Sequence, residues 1–237
     1  ALLARLGRDL LAVGRISLDY RASLRGLEPG SPEREEAKHA CHARSALILR
    51  DLCFSNGGIY TKLGQHLGQL DYLLPAEYVH TMRESLLHRC PVTPLGDVRR
   101  TVEEDLGRPL EEVFKRFEEA PVASASLAQV HEAETLSGQR VAVKVQHRGL
   151  REAASADIAT VSALVAGVRV FFPNFDYGWL VAEIRRNLPK ELDFRVEAEN
   201  TERCQKNIAG SRLGTSVEVP AVHAELSGPR VLTMDFA

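Results

Sequence analysis

The sequence predicts an α+β fold: a long helical region, then an antiparallel sheet with helices inserted between its strands. Three observations carry this. Ile59, Leu63, Leu67, Leu70 and Leu74 recur at three- and four-residue steps, the spacing of one helical face. In 140–146 the period drops to two, with Val141, Val143 and Val145 alternating with Arg140, Ala142 and Lys144. Helical patterns then return before two more strand-like segments, 217–223 and 230–236, so no parallel strand–helix–strand alternation and no internal repeat is present.

The elements follow in order. In residues 1–25, Leu2, Leu3, Leu6, Leu10 and Leu11 are interleaved with Arg5, Arg8, Arg15, Arg21 and Arg25 against Asp9 and Asp19. This net-basic amphipathic stretch is compatible with a helix on an anionic membrane surface, an organelle-targeting remnant, or a surface helix packed on the rest of the protein. Gly30-Ser31-Pro32 breaks the chain, with Ser31 placed as an N-cap and Pro32 at the first helical position. Residues 33–87 read as helical. Pro75 ends or starts a helix, Pro91 and Pro94 mark a boundary, and 95–106 is a short helix. Strands at 126–133 and 140–146 are joined through Ser137-Gly138, a hairpin signal. Helix is expected over 153–172, again from Tyr177 with an interruption at Pro189, and over 190–207. The division expected is a helical extension, 1–94, and a sheet-containing lobe, 95–237.

Composition excludes some classes. With 44% hydrophobic and 26% charged residues the 237-residue chain has the balance of an ordinary globular protein, and a net charge of −2 gives no general reason to expect nucleic acid. Cys41, Cys53, Cys90 and Cys204 form no CxxC pair and read as idle thiols in a reducing compartment. No segment reads as long and apolar enough to cross a bilayer; the best, 158–172, has 15 residues and contains Arg169, against about 20 for a spanning helix.

A few residues stand out chemically. Lys144 sits in an apolar strand, where a buried amine without a partner costs several kcal/mol, so it either turns toward a cleft or a carboxylate or is an edge-strand lysine in water. One hairpin upstream, Ala123-Ser124-Ala125-Ser126 forms a small-residue turn that either leaves room for backbone N–H groups to approach phosphates or merely lets two strands pack closely. Asp193 and Glu197 lie four apart, a like-charge spacing on a helix that calls for an external cation: Lys144, Lys62 or a metal. Glu191–Arg195, Arg195–Glu199 and Glu199–Arg203 read instead as a solvated, complementary face. Lys62, Gln65 and Gln69 share a polar helix face, whereas Gly64 and Gly68 cost about 1 kcal/mol each in a helix and so suggest close packing.

Together these residues resemble the UbiB/aarF-domain family of atypical kinase-like proteins. The marks are KxGQ as Lys62-Leu63-Gly64-Gln65, the alanine-rich loop as Ala123-Ser124-Ala125-Ser126, the VAVK strand ending at Lys144, and ExD as Glu191-Leu192-Asp193. Phrases such as Asn56-Gly57-Gly58 and Val143-Lys144-Val145-Gln146-His147 look like the mitochondrial aarF-domain kinases numbered one and five. The resemblance implies a protein-kinase-like N-lobe preceded by a helical KxGQ extension, with the C-lobe absent. It implies that Lys144 binds the α/β-phosphates and pairs with Glu197, and that Ala123, Ser124, Ala125 and Ser126 cover the phosphates. Lys62, Gly64 and Gln65 would belong to a lid meeting Glu191 and Asp193.

The same resemblance implies an atypical kinase or ATPase linked to quinone or lipid homeostasis in the mitochondrion, or alternatively the plastid. The alternative function is a pseudoenzyme or assembly subunit that keeps the lobe for binding alone. ATP and Mg are expected of the full-length protein only. A nucleotide is the implied partner, with a membrane surface or lipid and other protein subunits as further candidates, and no nucleic acid. The departures are Ala128 where many members have glycine, and the absence after Ala237 of the catalytic-loop Asp and Asn and the DFG Asp. No catalytic residue and no metal ligand is therefore assigned within the chain, and enzymatic activity is left open.

Overall fold

The computed structural model describes residues 2–86, 90, 92–172, 177–212, 214 and 216–237. Among them the elements run α1 (Leu2–Ser23), α2 (Pro32–Asn56), α3 (Ile59–Leu67), α4 (Ala76–Leu86), α5 (Leu95–Leu106), α6 (Leu110–Val113), β1 (Phe114–Phe117), β2 (Ala123–Ser124), β3 (Ala128–Thr135), β4 (Arg140–Gln146), α7 (Leu150–Phe171), α8 (Gly178–Glu191), α9 (Phe194–Ala209) and β5 (Val231–Asp235). The architecture is α+β with an antiparallel sheet. Two compact units form, one of Ala1–Cys90 with Ser155–Ala182, the other of Pro91–Ala154 with Glu183–Ala237. Residues 155–182 thus cluster with the helical part, because Val161 of α7 packs against Cys53, Tyr60, Met82 and Leu86.

The first unit is helical. Ser31 caps α2 by accepting from the Arg34 amide, with Pro32 in the first turn. Gly57 and Gly58 both carry positive φ (62° and 54°), which few residues with a side chain adopt, and they separate α2 from α3. A Cβ at Gly64 would collide with Leu86 Cδ1 and come within 3.2 Å of Cys53 Sγ, and one at Gly68 would lie 3.0 Å from the Arg83 backbone nitrogen. Gly64 within α3 and Gly68 at its C-cap therefore let α3 sit close on α4, the close packing expected of them.

In the second unit the sheet order is β1-β3-β4-β5, with β2 also paired to β3. Val141, Val143 and Val145 point into a core with Val98 and Val102 of α5 and Leu110 and Val113 of α6. On the opposite face Phe194 of α9 packs with Ala128 and Leu232. The hairpin between β3 and β4 turns at Gly138, where φ is +90°.

Four expectations are corrected. Of the strand expected at 217–223 only Val222 bridges Met234, since Pro220 has no N–H to continue a ladder. Helix α8 continues through Pro189 to Glu191, because a proline two residues from the end forfeits one bond without ending the helix. Helix α7 starts at Leu150, its small residues Ala153, Ala154 and Ala156 extending the apolar run; Leu150–Val170 is 21 residues long and holds an 18-residue window of mean hydropathy 1.4, so by length and composition it is a membrane-span candidate, that window mostly unburied. The run 33–87 breaks into three helices. The short β1, β2 and α6 leave no periodic signal of their own.

Candidate functional site

The site grows from the polar face of β4. Alternation that sends three valines into the core sends Lys144 to the other face, opposite Val130 on β3 and Leu232 on β5. There its Nζ donates to both carboxylate oxygens of Glu197, at 2.6 and 2.7 Å, and lies 4.8 Å from the Phe194 ring centroid. The pair expected between these two residues is present. The Lys144 and Glu197 side chains remain 26% and 41% exposed, so the ammonium is screened from the core but open to an anion.

Glu197 is positioned by the start of α9. Asp193 is not on a helix face: it is the N-cap, with φ −121° and ψ 100°, and accepts from the Arg195 amide at 3.2 Å. Its carboxylate also takes the Arg195 guanidinium at 2.6 and 2.9 Å and faces Arg151 at 3.8 Å. The Arg195 hydrogen bond holds Asp193 below the usual carboxylate range. The like-charge conflict between Asp193 and Glu197 is thus resolved by two separate cations, and Arg195 turns to Asp193 rather than to the helical carboxylates. Glu191 ends α8, and the irregular step expected near Pro189 falls at Leu192 and Asp193.

The small-residue loop is fixed from below. Ala123 and Ser124 pair with Val130 and Gln129, and the Ala125 amide donates to the Ala128 carbonyl at 2.8 Å. Ser126 is buried, so of the two loop hydroxyls only Ser124 stays near the surface. Ala128, buried against Phe194 and Leu232, uses its methyl group as packing.

Sequence reasoning missed the residue that grips this loop. The His147 amide donates to Leu127 O at 3.0 Å, and its ring Nε2 donates to Ala125 O at 2.9 Å. Its Nδ1 is then left to accept from Thr93 Oγ1 at 2.7 Å. Gln129, fully buried, accepts from the Thr93 amide at 2.7 Å and donates to Thr93 O and to His131 Nε2. His131 in turn donates Nδ1–H to Glu118 O at 2.7 Å. Burial lowers the pKa of both imidazoles, which keeps them neutral. The signal available was the polar run Gln146-His147 closing an apolar strand.

Lys62 and Gln65 lie in the first unit, where Gln65 Nε2 donates to Leu86 O at 3.1 Å; Glu191 and Asp193 lie in the second. Among the described residues no three His, Cys, Asp or Glu side chains converge as a metal cage.

Comparison with known proteins places this geometry. Residues 85–237 match the ABC1 atypical kinase-like domain. The chain belongs to the ABC1 atypical kinase-like family. It is 48% identical to a putative ABC1 protein of Arabidopsis thaliana over 98% of this chain and 44% of that one. Against AarF domain-containing protein kinase 1 of Mus musculus the identity is 43%, over 98% of this chain and 43% of the relative. The chain thus spans less than half the length of these ABC1 relatives. A solved Mycobacterium tuberculosis protein, Rv3197 in complex with erythromycin, superposes with a TM-score of 0.54 at 31% identity, covering 86% of this chain and 51% of that one.

Proposed function

We propose that the second unit is the nucleotide-binding N-lobe of an atypical kinase or ATPase. The observation that carries this reading is the bidentate Lys144–Glu197 pair. An ion pair this exposed contributes only about 0.2–1 kcal/mol to stability, so stability alone does not explain an amine placed mid-strand. Glu197 holds the ammonium in one position, from which it can meet α- and β-phosphate oxygens while Ala123, Ser124 and Ala125 lie over them. A preorganised cation costs no rearrangement when the anion arrives. Residues 123–126 are short enough for phosphate to approach the backbone, and Ser124 supplies a hydroxyl donor.

ATP would bring Mg²⁺, which neutralises phosphate charge when bound; the described residues offer single carboxylates rather than a cage for it. What this chain's own residues do is bind and orient. The Lys62, Gln65, Glu191 and Asp193 set is the regulatory half of the reading, a lid that limits access. Gly64 is reassigned to packing α3 on α4. The setting that goes with this proposal is organellar, mitochondrial or plastid, with quinone or lipid homeostasis as the process.

The test is turnover of labelled ATP by the purified chain beside a Lys144→Ala variant. Weak nucleotide binding and no turnover are expected, because the groups that orient a nucleophile are not among these residues. Turnover that disappears in the variant would place a complete active site here and overturn that limit. Wild-type affinity in the variant would favour a lobe used only for assembly. For the lid, Gln65→Ala is expected to tighten nucleotide binding in the longer protein; unchanged affinity would remove it.

A further inference from the structure

Helix α1 is built inside out. Its inward side carries the polar groups. Asp9 is completely buried and accepts from Asn56 Nδ2 and Tyr60 Oη, both at 2.8 Å. Arg5 pairs with Asp157 at 2.7 Å, Arg8 Nε donates to Asn56 Oδ1, and Tyr20 Oη bonds His42 and Tyr78. The outward side carries leucines instead. Leu3 is 84% exposed and Leu18 68%, with Leu6, Leu10 and Leu11 also exposed between them. At 1.5 Å per residue this arc, from Leu3 to Leu18, runs about 22 Å along the 22-residue helix. It continues onto α2, where Arg15 and Leu18 line an open groove of about 580 Å³ with Leu47 and Ile48.

Charge decides what such a face meets. None of the exposed residues of α1 is acidic; Arg15 and Arg21 lie among the leucines, and Arg25 follows just past the helix end. Both carboxylates bordering the groove are already neutralised, Asp19 by Arg44 at 2.9 Å and Asp51 by Arg50 at 2.7 Å. Against another protein's apolar core Arg15 and Arg25 would have to be desolvated. At a bilayer they snorkel to anionic headgroups while the leucines enter the acyl boundary. Specific internal bonds of Asp9, Arg5 and Tyr20 fix which way the helix faces, so the apolar arc cannot rotate inward without leaving them buried and unmatched.

We propose that the outward face of α1, extended by Leu47 and Ile48 of α2, is a docking surface for an anionic lipid bilayer. The proposal is independent of nucleotide binding, since it uses none of the residues around Lys144.

The experiment is co-sedimentation of the chain with phosphatidylcholine vesicles, with and without phosphatidylglycerol. Wild type is expected to bind only the anionic vesicles, and more weakly as salt rises. Leu10→Ser with Leu11→Ser, and separately Arg15→Glu with Arg25→Glu, are each expected to lower the partition about tenfold. All four side chains point outward, so helical circular dichroism and the thermal midpoint should hold; a variant that melts early is replaced by Leu18→Ser, which is read the same way. Equal binding to neutral vesicles, or variants that bind like wild type, would overturn the proposal. So would a leucine variant that changes only the oligomeric state in sedimentation velocity, which would assign the face to a second copy of the chain.

Discussion

Two polar assemblies in this molecule are made from similar residues and do opposite things. Around Asp9 in the first unit, Asn56 and Tyr60 are satisfied in the interior, with Arg5 and Asp157 beside them. Around Lys144 in the second unit, the ion pair lies on a sheet face half open to solvent. A buried polar cluster is costly to break, because each partner left behind keeps its desolvation penalty. An open pair is cheap to break and easy to reach. Burial, more than residue type, separates a cluster that fixes a fold from one able to receive a ligand.

The largest expected effect sharpens the first half of that contrast. Asp9→Ala should destabilise the chain by about 3 kcal/mol, read as a lower denaturant midpoint, since it strands the Tyr60 hydroxyl and the Asn56 amide. A loss below about 0.5 kcal/mol, the range of ordinary surface changes, would break the comparison. Next comes Gly64→Ala. Overpacking against Leu86 and Cys53 costs about 1–3 kcal/mol, partly offset by about 1 kcal/mol of helix propensity, so a net loss is expected by the same measurement.

Smaller effects are expected at the loop clamp. His147→Gln places a donor where Nε2 stands and should keep nucleotide affinity near wild type, while His147→Asn reaches only toward Thr93 and should weaken it several-fold in a titration. Equal behaviour of the two variants would deny the loop its anchor. Acidification should act on the same network. Burial lowers the folded pKa of His131 and His147 below 6.5, so their contribution is present above pH 6.5 and is lost as pH falls through the folded values. Protonated His131 would turn a second N–H toward the Gln129 amide, whose hydrogens already point at it. Thermal midpoints measured downward from pH 7 should fall, and a flat profile to pH 5 would contradict this.

Much of this was legible in the sequence, for definable reasons. Strand β4 announced itself because a two-residue period in valines has one solution, and the same period placed Lys144 on the open face. Ser31-Pro32 marked the start of α2 because capping and a fixed φ are local properties. What was hidden depended on tertiary partners. Whether Pro220 spoiled a strand or Pro189 a helix turned on how many bonds each removed. Asp193 looked like a member of a helix face until its backbone proved to be extended. His147 shows locally only as part of a polar end to an apolar strand; its role comes from Ala125 and Thr93, 22 and 54 residues away.

If the Lys144–Glu197 pair serves nucleotide binding rather than the fold, stability and affinity must respond differently to its loss. Denaturant midpoint and ATP affinity would be determined together for wild type and Lys144→Ala. The expected result is a stability change within about 1 kcal/mol, as for an exposed ion pair, alongside an affinity loss of about tenfold or more. A variant that loses several kcal/mol of stability yet binds ATP as wild type does would contradict it.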